Sequence, residues 1–153
     1  MESPQLAEVN VARVLYPLED PRMHGFREAI ARVNLLADET PGFVWRLAAP
    51  GGHLAADELL AMPGTVVNVS VWEDYESLHA FTYRGLHGRY LSDRARWFEP
   101  VAGPHTALWW VTAGNEPTAE EAIRHLLYLR RWGPSPRAFT VLHRYSPDGS
   151  RIR

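Results

Sequence analysis

Residues Val66 to Trp110 read VVNVSVWEDYESLHAFTYRGLHGRYLSDRARWFEPVAGPHTALWW. The opening residues alternate with the period of a strand: Asn68, Ser70 and Trp72 share one side, and Val67, Val69 and Val71 the other. Asp74 can cap a helix that begins at Tyr75. On one continuous helix Tyr83, His87, Tyr90, Arg94 and Trp97 would fall within a sector of roughly 80°, with Leu86 and Leu91 beside it. Gly85 and Gly88 weaken the middle of that helix by about 1 kcal/mol each relative to alanine. A kink, or two consecutive helical pieces, is therefore expected between Tyr75 and Phe98. Pro100, Gly103 and Pro104 make the next loop, and Thr106 to Ala113 reads as a further strand. Polar groups within an aromatic, core-facing surface are costly to bury unpaired. They belong either to a structural hydrogen-bond network or to a small-molecule pocket, and both readings stand at this point.

Before this stretch, Gln5 to Leu15 alternates as a first strand. Asp20 and Pro21 read as the cap and first position of a helix. Phe26, Ile30, Val33 and Ala37 form one apolar stripe along it, and Pro41-Gly42 ends it. Phe43 to Ala48 is a second strand, with Phe43, Trp45 and Leu47 expected on one side. Pro50 to Pro63 is loop-like. After it, Thr118 and Glu121 form a capping box. The helix they open turns Ala122, Ile123, Leu126 and Leu127 inward and stops at Gly133-Pro134. Ala138 to Leu142 is a candidate short strand. Residues 1–145 are expected to form a single domain with an extra C-terminal helix, and residues 146–153 a flexible tail.

The chain has 153 residues, no cysteine and a net charge of -2. One domain of this size can bury a core without disulfides or metals. The absence of cysteine removes thiolate ligands and thiol nucleophiles. All 16 basic residues are arginine, so lysine chemistry is excluded as well. The basic residues are scattered among acids, and nothing resembles a nucleic-acid footprint. No apolar run approaches the roughly 18 residues that would cross a membrane, and a cytoplasmic protein is expected. Six tryptophans suit both cores and aromatic-ligand pockets. His24, His53, His79, His105, His125 and His143 lack zinc-site spacing. No phosphate-binding glycine loop and no G-x-S-x-G elbow is present.

The element order β-α-β-β-α-β, followed by a helix, is that of an α+β, ferredoxin-like antiparallel sheet with helices on one face. Apolar residues on both sides of the strands require the other face to be covered, and a second subunit is the simplest cover.

The run VNVSVWEDYESLHAFTYRGLHGRYLSDRARWFEPV, followed by LWWVTAGNEPTAEEAIRHL, resembles the bacterial domain-of-unknown-function family 3291. That family is placed in the dimeric α+β barrel superfamily, beside the antibiotic-biosynthesis monooxygenases. The resemblance covers about Leu6 to Phe139. It implies a ferredoxin-like subunit whose sheet packs on a partner's sheet, hence a homodimer. It carries fold more firmly than reaction. Cofactor-free, quinone-forming monooxygenases of the superfamily carry an Asn shortly before a Trp at the end of a central strand, and Asn68 and Trp72 match that pair. They also carry a Tyr and an Arg on the following helix. Tyr75 or Tyr83 answers to the first and Arg94 to the second.

The residues themselves support corresponding roles. His87 titrates near neutrality and suits a general base or acid. Arg94 suits a phenolate, enolate or carboxylate, and Asn68 suits an oxyanion or a substrate carbonyl. Trp72, Tyr83, Tyr90, Trp97, Trp45 and Ser70 are the candidate substrate-binding residues. The plainer alternatives are a backbone partner for His87, an ion pair between Arg94 and Glu99, an Asn–Ser ladder at a dimer interface, and tryptophans that simply fill the core. Three functions are carried forward. The first is a cofactor-independent enzyme of secondary metabolism acting on a small aromatic or polyketide-like molecule, as a monooxygenase or as a cyclase or isomerase started by proton abstraction. The second is a non-catalytic dimer that binds an apolar metabolite or a protein partner. The third is a haem protein ligated through His87.

Overall fold

The computed structural model describes residues 2–47, 54–55, 64–85, 94–100 and 102–153. Among the described residues, six strands make one antiparallel sheet: β1 (Gln5–Val14), β2 (Phe43–Arg46), β3 (Leu54–Ala55), β4 (Thr65–Trp72), β5 (Phe98–Glu99) and β6 (Thr106–Val111). The helices are α1 (His24–Glu39), α2 (Tyr75–Gly85) and α3 (Ala119–Trp132), with 3-10 turns at Pro21–Met23 and Arg94–Arg96. β1 lies at the centre. It pairs with β4 from Leu6↔Trp72 to Arg13↔Thr65, and on its other edge with β6 and then β5. β2 and β3 follow one another along the outer edge of β4. The order β2–β4–β1–β6, with α1 joining β1 to β2 and α2 joining β4 to β6, is the ferredoxin-like arrangement expected from the sequence.

Period-2 alternation gives the sheet two unlike faces. One carries Ala7, Val9, Val11, Val67, Val69, Val71, Ala107 and Trp109, every one of them buried. The other carries Leu6, Glu8, Asn10 and Ala12 from β1 beside Trp72, Ser70, Asn68 and Val66 from β4, as their pairing requires. The two crossover helices pack on this second face. Ala37 of α1 and Leu78 of α2 join Leu6, Trp72 and Leu108 in one apolar cluster. Phe26 and Ile30 of α1 join Trp97 and Phe98 in another, against Ala12 and Val14.

The valine face is closed by the chain's own third helix. Ala122, Ile123, Leu126 and Leu129 of α3 pack on it, and His125 stacks on Trp109 at 4.3 Å and 10°. Thr118 caps α3 by accepting from the Glu121 amide, and Gly133 ends it at φ 77°. Leu127, expected to point inward, is exposed, and Leu129 takes its place. The apolar face that argued for a second subunit is thus buried within a single chain.

Other expectations are corrected locally. Phe43 opposes Trp72 and Trp45 opposes Val71, so a β-bulge at Val44 separates them. Phe43 therefore packs on the helix-bearing face, while Trp45 and Leu47 pack on the valine face. The loop-like stretch 50–63 contains β3, paired to Val66 and Val67. The helix after Asp74 is described from Tyr75 to Gly85, and the described residues resume with a 3-10 turn and a short strand. The expected strand over 138–142 is reduced to two isolated bridges, Ser135↔Ala138 and Leu108↔Phe139. The tail is folded back on itself by a Tyr145↔Arg151 bridge and a Ser146–Ser150 hydrogen bond.

Candidate functional site

The face under α1 and α2 is apolar at both ends and polar between them. Leu6, Trp72, Phe43 and Trp110 lie at one end, and Ala12, Val14 and Phe98 at the other. In between, two rows cross the sheet. Leu108, Glu8, Ser70 and Arg46 are aligned in one, and Thr106, Asn10 and Asn68 in the next. Glu8, Asn10, Asn68, Ser70 and Thr106 are all half-buried. Val33, which sits on the α1 stripe between Ile30 and Ala37, is half-buried as well.

These side chains form a directed network. Trp72 Nε1 donates to Ser70 Oγ at 2.9 Å, and Ser70 Oγ donates to Glu8 Oε2 at 2.9 Å. Asn68 Nδ2 donates to Asn10 Oδ1 at 3.3 Å, and Asn10 Nδ2 donates to Glu8 Oε1 at 2.9 Å. Two donor chains therefore converge on one carboxyl group. Burial pushes the Glu8 carboxyl above its ordinary value of 4.5, and the bonds from Asn10 and Ser70 only partly offset that. Its carboxyl is surrounded by protein, yet the residue keeps some solvent access.

Trp72 owes its orientation to aromatic packing. Phe81 of α2 stacks on it at 4.9 Å, and Phe43 meets it edge-on at 5.3 Å. The indole is 1% exposed, so its N–H needs an internal acceptor, and Ser70 provides it. Asp74 accepts from the Ser77 amide and hydroxyl and so caps α2. The described charged residues around the network point away from it or are engaged. Arg46 pairs with Asp38 of α1, Arg27 bonds the Leu18 carbonyl, and His24, Glu28, Arg32, Glu39, Glu76 and His79 are exposed.

Of the residues singled out from sequence, Asn68, Ser70 and Trp72 are brought together on the helix-bearing face. The polar side of β4 therefore faces α1 and α2. Trp97 lies elsewhere, buried against Phe26 at 5.8 Å in the second cluster. It sits between the Arg94–Arg96 turn and β5, not on a helix with Tyr83. Tyr83 is 64% exposed and stacks on His79. Trp45 is on the opposite face of the sheet from Asn68, Ser70 and Trp72, because of the bulge at Val44. His87 and Tyr90 lie outside the described residues, as does the side chain of Arg94. Sequence reasoning missed Glu8 and Asn10. The signal was present: Leu6, Glu8, Asn10 and Ala12 alternate with Ala7, Val9 and Val11, the same polar-against-valine pattern that drew attention to β4.

The family model described as Domain of unknown function (DUF3291) matches residues 5–153. No curated protein matches the chain in sequence. Among solved structures, the chain is similar to SnoaB, described as a cofactor-independent oxygenase from Streptomyces nogalater. The identity is 18% and the TM-score 0.43, over 74% of this chain and 97% of that one. It is also similar to NE2512, described as a protein of unknown function from Nitrosomonas europaea. There the identity is 14% and the TM-score 0.47, over 78% of this chain and 100% of that one.

Proposed function

The chain belongs to the family described as Domain of unknown function (DUF3291), a description that assigns no reaction, and we propose one from its geometry: an enzyme that removes a proton from a small, largely apolar molecule held over the polar rows of its sheet. The observation that carries this reading is the convergence of two donor chains on Glu8, whose carboxyl burial holds above its ordinary range. A carboxylate whose affinity for a proton is raised by burial is a stronger general base than the same group in water. The aromatic and aliphatic ends of the face supply the apolar contacts, and Asn68 supplies an amide for a substrate oxygen. His87 and Arg94 are proposed to complete the site, as a second proton-transfer group and as an anion-binding group.

The carbanion or enolate so formed would react with oxygen directly or rearrange. Cofactor-independent monooxygenation and cyclisation or isomerisation of an aromatic or polyketide-like metabolite, in secondary metabolism, are the finer forms of this proposal. Homodimerisation and a cytoplasmic location remain part of it. A dimer would have to use a surface other than the valine face. No helix among the described residues is long and apolar enough to cross a membrane.

The test is solvent deuterium incorporation at carbon into phenols and into 1,3-dicarbonyls that stand largely as enols, followed by NMR. The wild-type protein is expected to accelerate exchange for a subset of them, and Glu8→Gln to abolish that acceleration. Equal exchange by both proteins would refute Glu8 as the base. A second reading, a pocket that binds without turnover, is favoured by one observation: every member of the network already has a partner inside it. Tight retention of a probe with no exchange in either protein would establish that reading instead.

A further inference from the structure

Ser70 has one hydrogen and two lone pairs to place. Trp72 Nε1 can only donate, so it holds one of those lone pairs permanently. The hydrogen goes to Glu8 Oε2, and one lone pair is left. The Asn10 side of the network has no such freedom. Its Nδ2 donates to Glu8 and its Oδ1 accepts from Asn68, so reversing it means turning the amide over and breaking both bonds. Among the described partners of Glu8, only Ser70 can bond equally well to a carboxylate, as donor, and to a carboxylic acid, as acceptor.

We propose that Ser70 is the relay between ligand and base, and that the site therefore takes molecules whose acidic proton sits on oxygen, namely enols and phenols. This rests on the reading of Glu8 as the base. The ligand O–H donates to the remaining lone pair of Ser70. The ligand's proton passes to Ser70 Oγ as the Ser70 proton passes to Glu8 Oε2. The ligand O–H bond and the original Ser70 O–H bond break, and a new Ser70 O–H bond and a Glu8 O–H bond form. The electron pair stays on the ligand oxygen as an enolate or phenolate. At the end Glu8 donates to Ser70, Ser70 donates to the ligand anion, and Trp72 still donates to Ser70. No side chain has to rotate. A C–H acid could not begin this sequence, because it makes too weak a hydrogen bond to the hydroxyl.

Charged groups that would confound a titration of this unit lie outside it. β4 and β6 contribute Asn68, Ser70, Thr106 and Leu108 to the rows around Glu8. On β2, Arg46 is paired with Asp38 of α1. The remaining described ionisable residues of α1 and α2 are exposed, apart from Arg27, which is bound to a backbone carbonyl, Tyr75, which is half-buried against the Leu6–Trp72 cluster with Arg144 over its ring, and Arg84, whose side chain is not described.

Trp72 makes the relay observable. When Ser70 donates to a carboxylate, its oxygen is a stronger acceptor than when it receives a proton from the acid. The Trp72 Nε1–H resonance should therefore move upfield on acidification, with the midpoint of the Glu8 carboxyl carbon. It should stay flat in Glu8→Gln, lose the coupling in Ser70→Ala and regain it in Ser70→Thr. Phenol should perturb this resonance and bind at least about tenfold more tightly than anisole, which lacks the donor. A Trp72 resonance that ignores a titrating Glu8 overturns the relay and leaves the base intact. A Glu8 midpoint at or below 4.5 overturns the base itself. Equal binding of phenol and anisole overturns the substrate class. If Ser70→Ala fails to fold, the wild-type and Ser70→Thr titrations decide the matter.

Discussion

The hydroxyl of Ser70 donates across the β1–β4 ladder to the carboxylate of Glu8 at 2.9 Å, from the position directly opposite it in register. Antiparallel pairing makes this contact inevitable once both side chains lie on the same face. The bond links the central strand to the strand that carries Asn68 and Trp72, and the chemistry proposed above starts from it.

Glu8 has a pH signature in stability. Its carboxyl holds its proton more tightly in the folded chain than the ordinary value of 4.5. Between that value and the raised one, the folded state binds more protons than the unfolded state, so stability falls as pH rises through that interval. Glu8→Gln should lose this fall. Gln can accept from Asn10 and donate to Ser70, so the variant should match or exceed wild-type stability at pH 8 and show the smaller advantage at pH 4. Urea denaturation across that range checks it. A difference that is independent of pH would contradict the raised carboxyl.

The Asn68–Asn10–Glu8 chain should show graded costs. Asn10→Ala strands an internal bond on each side of it and is expected to cost about 1–3 kcal/mol. Asn68→Ala removes only the outermost donor and should cost about 1 kcal/mol or less, while lowering exchange activity at least tenfold if its amide holds the substrate oxygen. Denaturant titration and the exchange assay, run on the same preparations, separate the two effects. A larger stability loss in Asn68→Ala than in Asn10→Ala would invert the network.

Gly42 sits where β2 meets the cap of α2, at φ 90°, and a Cβ there would fall 1.9 Å from Ser77 Oγ. Ser77 is held by Asp74 through both its amide and its hydroxyl, so it has little room to move. Gly42→Ala should destabilise by about 2 kcal/mol or more, from backbone strain and overlap together. A shift in the urea midpoint worth less than about 0.5 kcal/mol would show that the cap rearranges freely.

The valine face is buried by α3 of the same chain. A chain diluted until it is monomeric should therefore stay folded and still unfold in one cooperative transition, because the core needs no partner to complete it. Leu126→Ala, at a fully buried position of α3, should cost about 2–5 kcal/mol. A chain that loses its secondary structure as it dissociates on dilution would show that a second subunit contributes to this core.

Much of this was legible in the sequence, and the failures have physical causes. The alternation in Val66–Trp72 correctly grouped Asn68, Ser70 and Trp72, and the capping residues Asp20, Asp74 and Thr118 marked their helices. Trp45 was misassigned because a bulge adds one residue to the strand without disturbing its composition. Leu127 and Leu129 both fit an apolar helical stripe, and only the position of the sheet chooses between them. Tyr83 and Trp97 do not share one helical face, because Trp97 follows the 3-10 turn Arg94–Arg96 and packs on Phe26, and helical spacing alone could not show that. Glu8 was overlooked because a single acid in a strand looks like a solvated edge. Only its register against Ser70 shows that it lies at the centre of a covered face.

The central claim is that Glu8 is a base held ready by its burial. Carboxyl carbon NMR of Glu8 as a function of pH, with Glu8→Gln used to assign the resonance, tests it most directly. A midpoint clearly above 4.5 is predicted. A midpoint at or below 4.5 would mean that the carboxylate is stabilised as an ion by its two donor chains, and that the polar rows are structural.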